Sequence, residues 1–169
     1  EWLNDHRSQH PEWSVEIEDM SARTRMLALQ GPLAEPILQH LTSFDLGTLP
    51  SFGIVRTEVA GIATLVARTG YTGEDGFEFY CPIERVVDLW DAILEAGQPL
   101  GLVPVGLGAR DTLRIEAGLP LYGNELSPEI TPLEAGLGWV IAWHKGAFLG
   151  REALERQRDQ GPPRRLVGF

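Results

Sequence analysis

An α+β domain, with helices packed on one face of a mostly antiparallel sheet, is the fold class this sequence predicts. Three observations carry it. Apolar and polar residues alternate over several short runs, the period of a half-buried strand. Two of those runs, Ile54 to Ala60 and Ile62 to Arg68, meet at Gly61 as the arms of a hairpin would. Two further stretches place apolar residues at helical spacing, one before the hairpin and one after it.

Taken in order, the chain opens in helix-like sequence at Trp2-Leu3-Asn4-Asp5-His6, and Val15 and Ile17 alternate with Glu16 and Glu18 as a short strand. Met26 to Gln30 is a second, apolar strand, broken by Gly31-Pro32. From Pro32 to Leu41 the residues Leu33, Ile37, Leu38 and Leu41 share one helical face, and Pro32 and Pro36 are tolerable near a first turn. The hairpin follows, then a Gly-rich loop, then a strand over Phe77 to Cys81. Ile83, Val86, Val87, Trp90, Ile93 and Leu94 repeat at helical spacing, with Gly97 as the stop. Each large side chain of that stripe contributes roughly 1.5 to 3 kcal/mol when buried, so Trp90→Ala is expected to destabilise severely. Leu102 to Val105 reads as a short strand and Leu107 to Ala117 as a helix ended by Gly118 and Pro120. Asn124 to Pro132 is a polar, proline-bearing connection. A strand over Leu137 to Trp143, a helix over Arg151 to Arg158, a Gly161-Pro162-Pro163 linker and the start of a strand at Arg165 complete the reading.

With 169 residues the chain is long enough to bury a core, and 14 basic against 24 acidic side chains give it a net charge of −10. That balance repels phosphate backbones and anionic lipid, which argues against nucleic acid or a membrane as partner. No run approaches the roughly 20 apolar residues that span a bilayer, and a soluble protein is expected. Cys81 stands alone, so neither a disulfide framework nor a cysteine-built zinc site is available, and its place at a strand end reads as a small buried hydrophobe. The four histidines are scattered, which leaves a metal centre without support. Neither GxSxG, a P-loop nor GxGxxG opening a helix is present, disfavouring serine hydrolases, nucleotidases and dinucleotide enzymes.

The densest chemistry lies in Arg68-Thr69-Gly70-Tyr71-Thr72-Gly73-Glu74-Asp75-Gly76-Phe77-Glu78, which puts glycines, carboxylates and a tyrosine between two strands. Glycine at such spacing lets a backbone approach a ligand closely, and the following strand sets Phe77 and Phe79 on one face and Glu78 and Tyr80 on the other. A plain hairpin turn with solvated acids is the bland alternative. Arg110 and Arg114 project from one face of a helix, where flanking Asp111 and Glu116 make surface ion pairing the ordinary expectation.

Together these segments resemble one family. Leu27-Ala28-Leu29-Gln30-Gly31-Pro32, the Gly-rich run, Gly108-Ala109-Arg110-Asp111-Thr112-Leu113-Arg114, Leu121-Tyr122-Gly123 and Thr131-Pro132-Leu133-Glu134-Ala135-Gly136-Leu137-Gly138-Trp139 are similar, in order, to the aminomethyltransferases (T-proteins) of the glycine cleavage system. Phe148-Leu149-Gly150-Arg151 continues the likeness. The resemblance implies a cytoplasmic or mitochondrial-matrix enzyme. It would take an aminomethyl group from the lipoyl arm of the H-protein, release ammonia and form 5,10-methylenetetrahydrofolate. Tetrahydrofolate is then the acceptor. Carried over residue by residue, Glu78 binds the pterin, and Arg110 and Tyr71 are further folate-site residues.

The resemblance also implies that 1–21 are the tail of an N-terminal domain and 22–123 the folate-binding α+β domain. Residues 124–163 are then a connecting segment packing back on the N-terminal domain, and 164–169 the start of a C-terminal barrel. The family's catalytic aspartate is expected upstream of residue 1, so this stretch alone is expected to be inactive. Asn124-Glu125 departs from relatives that often carry aspartate. Folate-binding iron–sulfur assembly proteins share the fold, but their KGCYxGQE has no counterpart here. Folate domains of dimethylglycine and sarcosine demethylating enzymes share the pterin loop and remain an alternative, as does a non-catalytic folate- or protein-binding module.

Overall fold

A computed structural model describes residues 2–168. They fall into two compact units. One runs to Gly70 and resumes over Glu74–Val105; the other takes Tyr71–Gly73 and the chain from Gly106 onward.

The first unit is built on a four-stranded antiparallel sheet. Its strands are β1 (Thr24–Gln30), β2 (Ile54–Val59), β3 (Ile62–Ala67) and β4 (Gly76–Pro82), in the spatial order β1-β4-β3-β2. β4 is therefore an inner strand, hydrogen-bonded on both sides. The hairpin between β2 and β3 turns through Ala60 and Gly61, both at positive φ (50° and 72°), the twist a two-residue turn needs; Ala60 adopts it without glycine's freedom.

Alternation along the strands builds two unlike faces. Phe77, Phe79 and Cys81 of β4, Leu29 of β1, Ile62 and Val66 of β3 and Val59 of β2 form one buried face. Helices α2 (Ala34–Gln39) and α3 (Val86–Gly97) supply Ala34, Ile37, Leu38, Leu89 and Ile93 to the same core. Burial of that shared face is the main source of this unit's stability. Cys81 is buried as expected, and burial pushes its thiol pKa up.

Several expectations need correction. The buried face of α3 is rotated from the one its periodicity implies: Ile93 and Leu89, the latter outside the expected stripe, are buried, whereas Val87 and Trp90 lie on the flanks, Trp90 at 39% exposure. α3 does end at Gly97, which keeps a helical φ of −88° and leaves no room for a side chain, since a Cβ would lie 2.4 Å from a Leu102 methyl; a 3-10 turn, Gln98–Leu100, follows, and the chain leaves it at Gly101, where φ is +82°. Val15 to Ile17 form no strand, since both apolar residues are exposed and no partner strand pairs with them. Leu102 to Val105 is likewise irregular: Leu102 folds back onto the core while Val103 and Val105 face outward. The opening helix, α1 (Trp2–Gln9), is present and buries none of its residues.

The second unit contains α4 (Leu107–Glu116) and α5 (Arg151–Gln160) joined by turns. The expected strand over Leu137 to Trp143 is instead a short 3-10 turn, Gly138–Val140, with Trp139 and Val140 exposed and no strand among the described residues to pair with. The strand expected from Arg165 does not form through Gly168, and Phe169 lies outside the described residues. What orders this region is a reciprocal box. The Thr131 amide donates to Glu134 Oε2 at 2.8 Å, and the Glu134 amide donates to Thr131 Oγ1 at 3.2 Å. Among the described residues no helix is long and apolar enough to cross a membrane.

Candidate functional site

The sheet face opposite the helices carries the first unit's chemistry. On it Glu78 stands in the middle of β4, directly between Ala28 of β1 and Ala67 of β3. One step along, Tyr80 stands between Met26 and Leu65. Two small neighbours beside a carboxylate, and a row of larger apolar side chains next to them, make a shelf. A flat ring can lie across such a surface and meet an acceptor at its edge. Glu78 is half-buried there, and its Oε2 accepts a 2.5 Å hydrogen bond from the Thr69 hydroxyl. Burial, and then the charge of Glu78, raise the pKa of Tyr80, as two groups sharing one face should.

The Gly-rich run is divided between the units. Its base belongs to the first unit and is tied by Arg68. Arg68 Nε donates to Asp75 Oδ1 at 3.0 Å and Nη2 to Asp75 Oδ2 at 2.5 Å, a bidentate clasp across the run. The same Nη2 pairs with Glu35 at 2.6 Å, while Nη1 donates to the carbonyls of Leu46 and Leu49. The guanidinium also lies 5.3 Å from the centre of the Phe77 ring. Hydrogen bonding from Arg68 holds the Asp75 carboxyl below its usual range. Asp75 is therefore tied to Arg68, while its carboxylate stays 40% exposed and Glu74 beside it is exposed. The signal in the sequence was an arginine and an aspartate bracketing a run of glycines.

The tip, Tyr71–Gly73, belongs to the second unit, where it meets α4. The Arg110 guanidinium lies 4.6 Å from the centre of the Tyr71 ring, and the Tyr71 hydroxyl donates to the Pro120 carbonyl. Gly73, at φ +81°, is obligatory: a Cβ would lie 2.7 Å from the Ala117 methyl. Two of the three expected folate-site residues, Tyr71 and Arg110, are thus brought together within one unit, and Glu78 lies in the other.

Arg114 is not a surface residue. It is 2% exposed, donates from Nε to Asp111 at 2.7 Å and from Nη1 to Glu125 at 2.6 Å, and reaches the Leu119 carbonyl. Spacing alone put Arg110 and Arg114 on one face; only the fold shows that one is covered by the turn after the helix and the other is open. Glu125 also accepts the Leu121 amide, and that bond, followed by Arg114, lowers its pKa. In both pairs the guanidinium is buried while Asp111 and Glu125 are 50% and 30% exposed, and removing the arginine would leave its covered site without a partner. Among the described residues no group of three or more His, Cys, Asp or Glu side chains could hold a metal ion.

The family described as the GCVT N-terminal domain matches residues 1–145. An aminomethyltransferase of Caldanaerobacter subterraneus is 58% identical over 158 residues, covering 93% of this chain and 42% of that protein. One from Geobacillus thermodenitrificans is 58% identical over 170 residues, covering 99% and 46%. The chain thus spans under half the length of these curated relatives. Among solved structures, the glycine cleavage system aminomethyltransferase T of Bartonella henselae superposes with a TM-score of 0.72 at 35% identity, covering 82% of this chain and 37% of that one. A heterotetrameric sarcosine oxidase from Corynebacterium matches at 0.52 and 21% identity over 62% of this chain and 53% of its own, a likeness of fold. The chain belongs to the GCVT N-terminal domain family.

Proposed function

We propose that the protein carrying this chain is an aminomethyltransferase of glycine cleavage. It takes the aminomethyl group from a lipoylated H-protein, releases ammonia, and passes the carbon to tetrahydrofolate as 5,10-methylenetetrahydrofolate. The observation that carries the reading is the placement of Glu78: a half-buried carboxylate on the sheet face away from the core, between an exposed Ala28 and a buried Ala67. The names of the relatives, at 58% identity, point the same way. A pterin presents adjacent N–H donors that one ionised carboxylate accepts in parallel, and hydrogen bonds to a charged group contribute about 1.5 to 3 kcal/mol. Tyr71 and Arg110 are proposed folate contacts of the second unit. There the arginine, stacked on the tyrosine ring, offers positive charge in an otherwise acidic chain. A cytoplasmic location belongs to the same proposal, as does the division at 21, 123 and 163.

The test is turnover by the full-length protein with aminomethyl-loaded H-protein and tetrahydrofolate, followed as ammonia and methylenetetrahydrofolate. Wild type is expected to turn over, and Glu78→Ala to bind tetrahydrofolate at least tenfold more weakly, a loss of about 1.4 kcal/mol or more. Turnover with sarcosine or dimethylglycine in place of the loaded H-protein would contradict the assignment.

A further inference from the structure

We infer that Thr69 is a positioning residue for the Glu78 carboxylate and that Gln30 holds Thr69 in place; the inference rests on reading Glu78 as the pterin acceptor. A glutamate side chain has three rotatable bonds, and a freely turning carboxylate must be ordered whenever a ligand binds, at an entropic cost. Glu78 Oε2 accepts a side-chain hydrogen bond from Thr69 Oγ1 at 2.5 Å. Its cross-strand neighbours Ala28 and Ala67 offer no side-chain donor. An ionised carboxylate has about four acceptor directions, so one hydroxyl fixes its plane and leaves enough for a parallel pair of ligand N–H groups.

Thr69 is in turn held by its backbone. Gln30, the last residue of β1, donates from Nε2 to the Thr69 carbonyl at 3.1 Å, and the same nitrogen lies 3.4 Å from the carbonyl of Phe77, the residue just before Glu78. One amide thus ties the chain carrying the donor to the chain carrying the acceptor. Two glycines make room for it: a Cβ at Gly70 would lie 1.8 Å from Gln30 Oε1, and one at Gly76 would lie 2.5 Å from the same atom. These glycines admit the Gln30 side chain, a different role from the close backbone approach to a ligand that their spacing suggested.

Tetrahydrofolate titrated into the full-length protein tests this with Thr69→Val, Thr69→Ser, Glu78→Gln and the Thr69→Val/Glu78→Gln pair, melting temperatures being read alongside. Thr69→Val is expected to weaken binding about tenfold. Thr69→Ser, which keeps the hydroxyl, should bind within about threefold of wild type, and the double variant should bind no more weakly than Glu78→Gln alone, because the two residues act through one carboxylate. A general loss of folding in Thr69→Val would instead multiply with the Glu78→Gln loss, and that result overturns the inference. So does wild-type affinity in Thr69→Val, or failure of serine to restore binding. If Glu78→Gln itself binds like wild type, the folate reading of Glu78 falls and the inference falls with it. If Glu78→Gln is weak while Thr69→Val is not, only the inference falls.

Discussion

Arg68 clasps Asp75 across the Gly-rich run, and Arg114 closes the turn after α4; the Arg68–Asp75 pair had a signal in the sequence, whereas the burial of Arg114 did not. Arg68 also reaches Glu35, Leu46 and Leu49, and Arg114 reaches Glu125, residues whose proximity exists only once the chain has folded. The face on which Glu78 lies was legible, because strand alternation separates it from Phe77 and Phe79; its proposed pterin role comes from the family resemblance. Arg110 and Arg114 give a contrast at this scale. Arg114→Ala strands the Glu125 carboxylate and exposes packed surface, so a clear fall in the unfolding midpoint is expected. Arg110→Ala removes an exposed side chain and is expected within about 0.5 kcal/mol of wild type by denaturant titration. Equal losses would mean that the two arginines are interchangeable surface groups.

Among the elements, the four strands of the sheet and helices α2 to α5 were foreseen because each carries a clear period, while the short strands were not found. Val15 to Ile17 and Leu137 to Trp143 show apolar residues in suggestive order, but a strand exists only where a second strand accepts its hydrogen bonds, and that requirement is not written locally. Helix α2 shows the same limit: Ile37 and Leu38 are buried and Leu41 packs against the core, but Leu33 is 45% exposed, and only Ala34–Gln39 is helical out of the expected Pro32 to Leu41. Periodicity in α3 located the helix but not its rotation. Leu89 is fully buried and Trp90 is 39% exposed. Leu89→Ala should therefore cost about 2 to 5 kcal/mol, and Trp90→Ala less than half as much, in equilibrium unfolding. A larger loss at Trp90 than at Leu89 would show the stripe seated as periodicity alone suggests.

Across the whole molecule, acid should loosen both units. Asp75 in the first unit and Glu125, Glu129 and Glu134 in the second have pKa values lowered by hydrogen bonds; for Glu134 the Thr131 amide is the largest cause and Arg164 adds to it. A carboxyl whose folded pKa lies below its unfolded value stabilises the fold fully above the unfolded value and ceases to as pH falls through the folded one. The ordinary values are 3.8 for Asp and 4.5 for Glu, so melting temperature should be level from neutral pH to about 5 and fall below about 4.5. A flat profile down to pH 3 would show these pairs to be energetically silent.

The central claim is that Glu78 faces a ligand rather than bulk water. Crystals of the full-length protein grown with tetrahydrofolate test it most directly. The pterin ring is expected to lie along the Ala28–Glu78–Ala67 row with its N–H groups within hydrogen-bond distance of the Glu78 carboxylate. A pterin bound elsewhere, with Glu78 facing only solvent, would contradict the account.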